Sequence, residues 1–178
     1  MRRRALATLG LMVCGLVVVA AVYPGVMPPV AQVVALDECD PTTFNAAIGP
    51  DFCKNVALGY STTIQNLFAE AAAGTPDPKW DFEPDTLKVK EGTIISVVDQ
   101  GGEPHTFTEV KQFGGGFIGG LNNNETAVPE CVNGFGDVAV ARTRTLQGST
   151  LLVPGLSKGT HYFQCCIHPW MRVKVEVQ

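Results

Sequence analysis

The sequence predicts an all-β fold, a sandwich or barrel carrying a short helical N-terminal extension. Three observations lead there. From Trp80 onward, short runs alternate apolar and polar residues. Nineteen glycines and twelve prolines are scattered without a period and punctuate those runs. Helical spacing is confined to one stretch, residues 62–73.

In that stretch Ile64, Leu67 and Phe68 recur at helical spacing, Ala71, Ala72 and Ala73 favour helix, and Gly74 ends it. Turn formers at Asp40-Pro41 and Gly49-Pro50-Asp51 break the segment before it, and residues 74–79 read as a linker. Leu87 and Val89, then Ile94, Ser96 and Val98, alternate around a turn at Glu91-Gly92. His105 to Val110 is a further alternating run. Residues 113–124, with five glycines and three asparagines, form a loop without a phosphate-binding pattern. Strands are then expected over 137–144, 149–153, 161–165 and 171–177, the last with Val173, Val175 and Val177 on one face.

The N-terminus reads as a targeting segment. Arg2, Arg3 and Arg4 precede an 18-residue apolar run from Ala5 to Val22, and Val33-Val34-Ala35 resembles a signal-peptidase site. The run suits a cleaved signal or a membrane anchor, and in both cases the rest of the chain is exported. The expected organisation is a signal or anchor over 1–35, an N-terminal extension with one helix over 36–78, and a β domain over 79–178.

Residues 36–178 hold 10 Lys and Arg against 17 Asp and Glu, a net charge of −7, with no basic cluster. Nucleic-acid binding, which needs a basic face, is excluded. Beyond Cys14, in the apolar run, five cysteines remain: Cys39, Cys53, Cys131, Cys165 and Cys166. Exported cysteines pair, and an odd number leaves one thiol over. If that thiol binds a metal, the other four allow three pairings; Cys39–Cys53 and Cys131–Cys166 are expected.

The chemistry concentrates in Cys165-Cys166-Ile167-His168-Pro169-Trp170-Met171, where a thiolate, an imidazole and a thioether stand three residues apart. Glu103-Pro104-His105-Thr106-Phe107 offers a second imidazole. Two His, one Cys and a weak Met are a blue-copper ligand set: the soft thiolate suits Cu(I), imidazoles serve both oxidation states, and the thioether is a weak axial ligand.

The region from about Trp80 to Gln178 resembles the cupredoxins. Cys-x-x-His-x-x-Met, with Pro169 after the histidine and Arg172 after the methionine, is most similar to the amicyanin loop, and plastocyanin resembles it with a wider spacing. Phe82-x-Pro84-x-x-Leu87-x-Val89-x-x-Gly92, Pro104-His105-Thr106 and Gly159-Thr160-His161-Tyr162-Phe163-Gln164-Cys165 resemble other segments of that family. The resemblance implies a Greek-key β-sandwich and one type 1 copper held by His105, Cys165, His168 and Met171. It implies a monomer passing single electrons to a transient redox partner in the periplasm or outside the cell, with the His168 ring edge near the surface as exit port beside Pro169 and Trp170. The acidic surface favours a basic patch on that partner. Cys166, His161, the long stretch between His105 and Cys165, and residues 36–78 depart from the family pattern.

Other readings are weaker. A Cys165–Cys166 bond would be strained, a dinuclear copper site needs a wider cysteine spacing, and structural zinc prefers stronger ligands than a thioether. His161 reads as a buried, hydrogen-bonded core residue. Once His105 and His168 are used, His161 is the one histidine left, too few for the second site of a copper oxidase, so no enzymatic activity is expected. A periplasmic copper carrier without an electron-transfer role is the alternative.

Overall fold

The computed structural model describes residues 27–54 and 62–178. The apolar run Ala5–Val22, for which an export or anchoring role is expected, lies outside them. No helix among the described residues is long and apolar enough to cross a membrane.

The described chain runs β1 (Val30–Leu36), α1 (Pro41–Ala47), α2 (Ile64–Ala73), β2 (Asp81–Glu83), β3 (Thr86–Val89), β4 (Ile94–Asp99), β5 (His105–Thr106), β6 (Thr108–Val110), α3 (Val138–Arg142), β7 (Arg144–Thr145), β8 (Thr150–Val153), β9 (Gly159–Gln164) and β10 (Arg172–Val177). Two four-stranded sheets form, in the orders β2-β1-β4-β8 and β3-β10-β9-β6, and β5 pairs with β7 in a short ladder. Both sheets are mixed: β1 runs parallel to β4, and β3 parallel to β10. This is the all-β class the sequence predicts.

Between the sheets lies a core of Val33, Ala35, Phe82, Ile95, Val97, Phe107, Phe163, Val173 and Val175. Alternation puts every second side chain on this face. In β10 the buried residues are the expected valines. In β4 the buried set is Ile95, Val97 and Asp99, so Ile94, Ser96 and Val98 form the less buried face.

Residues expected to lie in the targeting segment complete this core. The boundary after Ala35 falls inside β1, which pairs with β4 from Val30 to Ala35 and with β2 from Val34 to Leu36. Its apolar side chains belong to the fold, because a strand between two neighbours needs an apolar core face.

The extension is folded too. Asp40 caps α1 by accepting from the amides of Thr42 and Thr43, and Thr63 caps α2 by accepting from Asn66. Gly74, in the left-handed region, ends α2 as expected. Phe44, Leu67 and Ala71 pack with Trp80, Leu121 and the Cys39–Cys53 disulfide in a second apolar cluster. A third surrounds the Cys131–Cys166 disulfide with Val110, Val128 and Val140. Both expected pairings are formed.

The strand expected over 137–144 is instead α3. The Asp137 side chain accepts from the Ala139 amide and caps it, and of Val138 and Val140 only Val140 is buried. The alternation there came from a single helical turn.

A chain beginning at residue 27 is expected to fold, and one beginning at residue 37 to be unfolded or to melt far lower. Burial of Val33 alone is worth about 1.5–3 kcal/mol. Thermal unfolding followed by circular dichroism checks this; equal melting curves would show β1 to be dispensable.

Candidate metal centre

The sheets deliver three donors to one point. His105 opens β5, which pairs with β7 through His105 and Thr145. β9 ends at Gln164 and hands on to Cys165, while β10 returns through Arg172, the register partner of Gln164. The intervening loop is closed at its base: the Cys165 amide donates to the Met171 carbonyl at 3.0 Å, and the Met171 amide to the His168 carbonyl at 3.0 Å. The glycine-rich loop packs against it, with the Phe117 amide donating to the Cys166 carbonyl at 2.9 Å. A side chain at Gly116 would collide with that carbonyl, which explains one glycine of the run.

Cys165 Sγ lies 3.9 Å from His105 Nδ1 and 3.9 Å from His168 Nδ1, and the two Nδ1 atoms are 3.4 Å apart. The point equidistant from all three lies about 2.2 Å from each, close to the roughly 2.0–2.3 Å of nitrogen and sulfur bonds to a first-row ion. The donor set therefore fits a transition metal. Met171 is fully buried in the same apolar cluster as Cys165. Cys165 is the free cysteine among the described residues. Its sulfur accepts from the amides of Thr106 and His168, each at 3.4 Å, donors that favour a thiolate.

Behind the donors stand two buried carboxylates that sequence reasoning did not assign. Asp37, just past β1, accepts at Oδ1 from the amides of Cys39 and Gly102. At Oδ2 it accepts from the Glu103 amide and meets His105 Nε2 at 2.8 Å. A side chain at Gly101 would occupy the space of this carboxylate. Glu103 Oε2 lies 3.3 Å from His168 Nε2. No spacing rule marks either acid, although Glu103 stands two residues before His105.

Burial disfavours charge on all these groups, and their partners decide the outcome. Burial would raise Asp37, but its hydrogen bonds, first that with His105, hold it below the ordinary carboxylate range. Burial dominates at Glu103 and raises it in spite of His168. Burial would lower His105, yet Asp37 and Cys165 raise it well above the usual imidazole value. His168 is raised in the same way by Cys165 and Glu103. Burial would raise Cys165, and the two imidazoles bring it well below the usual thiol value. Asp99, a further buried acid of this region, is pushed up to about 6, chiefly by burial.

One expectation is overturned: the His168 ring edge is not at the surface. Residue exposure is 1% for His168 and 0% for His105 and Cys165. Trp80 meets the His168 ring edge-on at 4.9 Å between centroids, and Trp170 lies at 5.6 Å. The Trp170 indole donates to the Trp80 carbonyl at 3.0 Å. Trp80 is itself held by Phe44 and Leu67, so the helical extension covers the ligand loop. His168 instead lines an apolar cavity of about 330 Å³, at which Ile48, Phe68 and Phe135 are exposed.

His161 stands apart from the donor triangle. Its Nδ1 is 2.7 Å from Glu109 Oε1 and its Nε2 is 2.9 Å from the Ser157 carbonyl. It is hydrogen-bonded as expected, but only half-buried, outside the core.

No family model matches the chain, and no curated protein matches it. Among solved structures it is similar to a purple cupredoxin from Nitrosopumilus maritimus, at 14% identity over 83% of this chain and 99% of that one, with a TM-score of 0.41. It is also similar to a reduced amicyanin variant, at 20% identity over 57% of this chain and 77% of that one, with a TM-score of 0.36. A Cu(I) form of another amicyanin variant matches at 20% identity over 60% and 89% of the two chains, with a TM-score of 0.36.

Two outcomes follow. The disulfide-intact chain from residue 27 should yield one titratable thiol, slow to react until the protein is unfolded; a thiol-reagent assay with and without denaturant checks it. Replacing Glu109→Gln should lower the His161 pKa, now raised chiefly by the hydrogen bond to Glu109. The stability from a raised imidazole is fully present below the unfolded value of about 6.5 and is lost as pH climbs through the folded value. A histidine NMR titration of both proteins reads the shift.

Proposed function

We propose that this chain is an exported type 1 copper protein that passes single electrons between redox partners. The observation that carries this is the buried triangle of Cys165 Sγ, His105 Nδ1 and His168 Nδ1, with the Met171 thioether in the same apolar cluster. When bound there, copper would supply a one-electron Cu(I)/Cu(II) couple. The two imidazoles and the thiolate would be the strong donors to it, and Met171 the weak one. The loop hydrogen bonds hold these donors in place, so little rearrangement accompanies a change of charge. The surrounding aromatic rings exclude water.

Burial favours a resident metal over the carrier alternative. A carrier hands its ion on, and donors exposed by 1% or less would have to be uncovered first. The partner surface we infer is the apolar rim at Ile48, Phe68 and Phe135, where the cavity leads to His168. Contact there would be small and brief, as redox encounters are. The two disulfides fit an oxidising, extracytoplasmic compartment. A monomeric state and tethering through the N-terminal apolar run belong to the same proposal, and no bond-making reaction is part of it.

The test is a visible absorption spectrum of residues 27–178 after loading with Cu(II), with Cys165→Ser as control. An intense thiolate-to-copper band, bleached by reductant and absent from the control, is the expected result. A colourless protein would overturn the proposal.

A further inference from the structure

We propose that Asp37 and Glu103 are positioning residues of the metal centre: each carboxylate holds the Nε2–H of one imidazole, aims its Nδ1 at the ion, and biases a bound copper toward its oxidised state. The proposal rests on the copper reading above.

An imidazole has two nitrogens, and the hydrogen bond made by one selects the role of the other. Both Nδ1 atoms face Cys165 Sγ at 3.9 Å. Both Nε2 atoms face a carboxylate oxygen, Asp37 Oδ2 at 2.8 Å and Glu103 Oε2 at 3.3 Å. A carboxylate is an acceptor, so it selects the tautomer with hydrogen on Nε2 and leaves the Nδ1 lone pair for the metal. Asp37 is fixed in this task, because three backbone amides and the ring converge on its two oxygens. Glu103 is less constrained: its Oε1 is buried without a hydrogen-bond partner among the described residues. Its position is therefore set by the His168 contact rather than by a loop that needs it.

The second consequence is electrostatic. A bound cation favours the ionised form of carboxylates beside it, so with the Cys165 thiolate these acids would place three anionic groups around one ion in a buried site. Charges interact strongly there because the local dielectric is low. The arrangement favours Cu(II) over Cu(I), since the divalent ion compensates more of that charge. A site enclosed by neutral groups alone would lean the other way.

The closing experiment compares wild type, Glu103→Gln and Asp37→Asn, all as residues 27–178. Glu103→Gln keeps an acceptor for His168 and removes the charge. Asp37→Asn orphans backbone amides and can fail to fold, so Glu103→Gln carries the test. The readouts are the midpoint potential of the copper-loaded protein, by optical spectroelectrochemistry, and the ring ¹⁵N shifts of metal-free protein at alkaline pH, where both rings are neutral. Expected are a more positive potential in Glu103→Gln with its thiolate-to-copper band retained, and hydrogen on Nε2 of both rings in wild type. A band present in both proteins with an unchanged or more negative potential overturns the electrostatic role. Hydrogen on Nδ1 overturns the positioning role. Absence of the band from wild type overturns the copper reading and the bias with it, while the ¹⁵N shifts still decide the positioning role.

Discussion

The carboxylate of Asp37 is the contact on which the site depends. It gathers the amides of Cys39, Gly102 and Glu103 and the ring of His105 onto two oxygens. In doing so it ties the end of β1 to the segment entering β5, residues 65–68 positions apart in the chain. Such a carboxylate is stable in the interior only because every lone-pair direction is used. The loop carrying Glu103 and His105 has little secondary structure of its own, and Asp37 holds it.

The extension changes what kind of centre this is. A minimal two-sheet domain would leave the loop between β9 and β10 at one open end. Here α1 and α2 bring Phe44 and Leu67 against Trp80, and Trp80 against His168. The Cys39–Cys53 disulfide sits in that same apolar cluster. Closing a loop of this length is worth about 3 kcal/mol. The disulfide thus fastens the loop carrying α1 back to the residues just past β1, and the imidazole beneath the cover meets an apolar cavity instead of open solvent.

Much of this was legible in the sequence, for identifiable reasons. Cys165, His168 and Met171 announce themselves by a three-residue spacing, and setting one thiol aside leaves four cysteines for two disulfides, with three pairings open among which the fold chooses Cys39–Cys53 and Cys131–Cys166. The valines of β10 alternate because their strand has one core face. β1 was hidden because Val30–Leu36 continues the apolar character of the preceding run, and its pairing with β4 joins residues 64 positions apart, beyond any local period. Residues 137–144 misled because Val138 and Val140 mimic strand alternation within a single helical turn. Asp37 and Glu103 carry no motif at all: an acid that braces an imidazole is recognised by where the fold puts it. The cover over His168 was missed for the same reason, since it depends on how residues 36–78 dock.

The distribution of these parts along the chain has a consequence for modularity. The segment Cys165–Met171 looks like a transferable cassette, holding three of the four proposed ligands within seven residues. Its environment is not transferable with it. One bracing acid comes from the far N-terminal strand end, the other from the loop before β5, and the aromatic roof from a third region. Grafted onto another sandwich, the cassette would carry its donors and leave its tuning behind, so closely related loops can serve centres of quite different redox character.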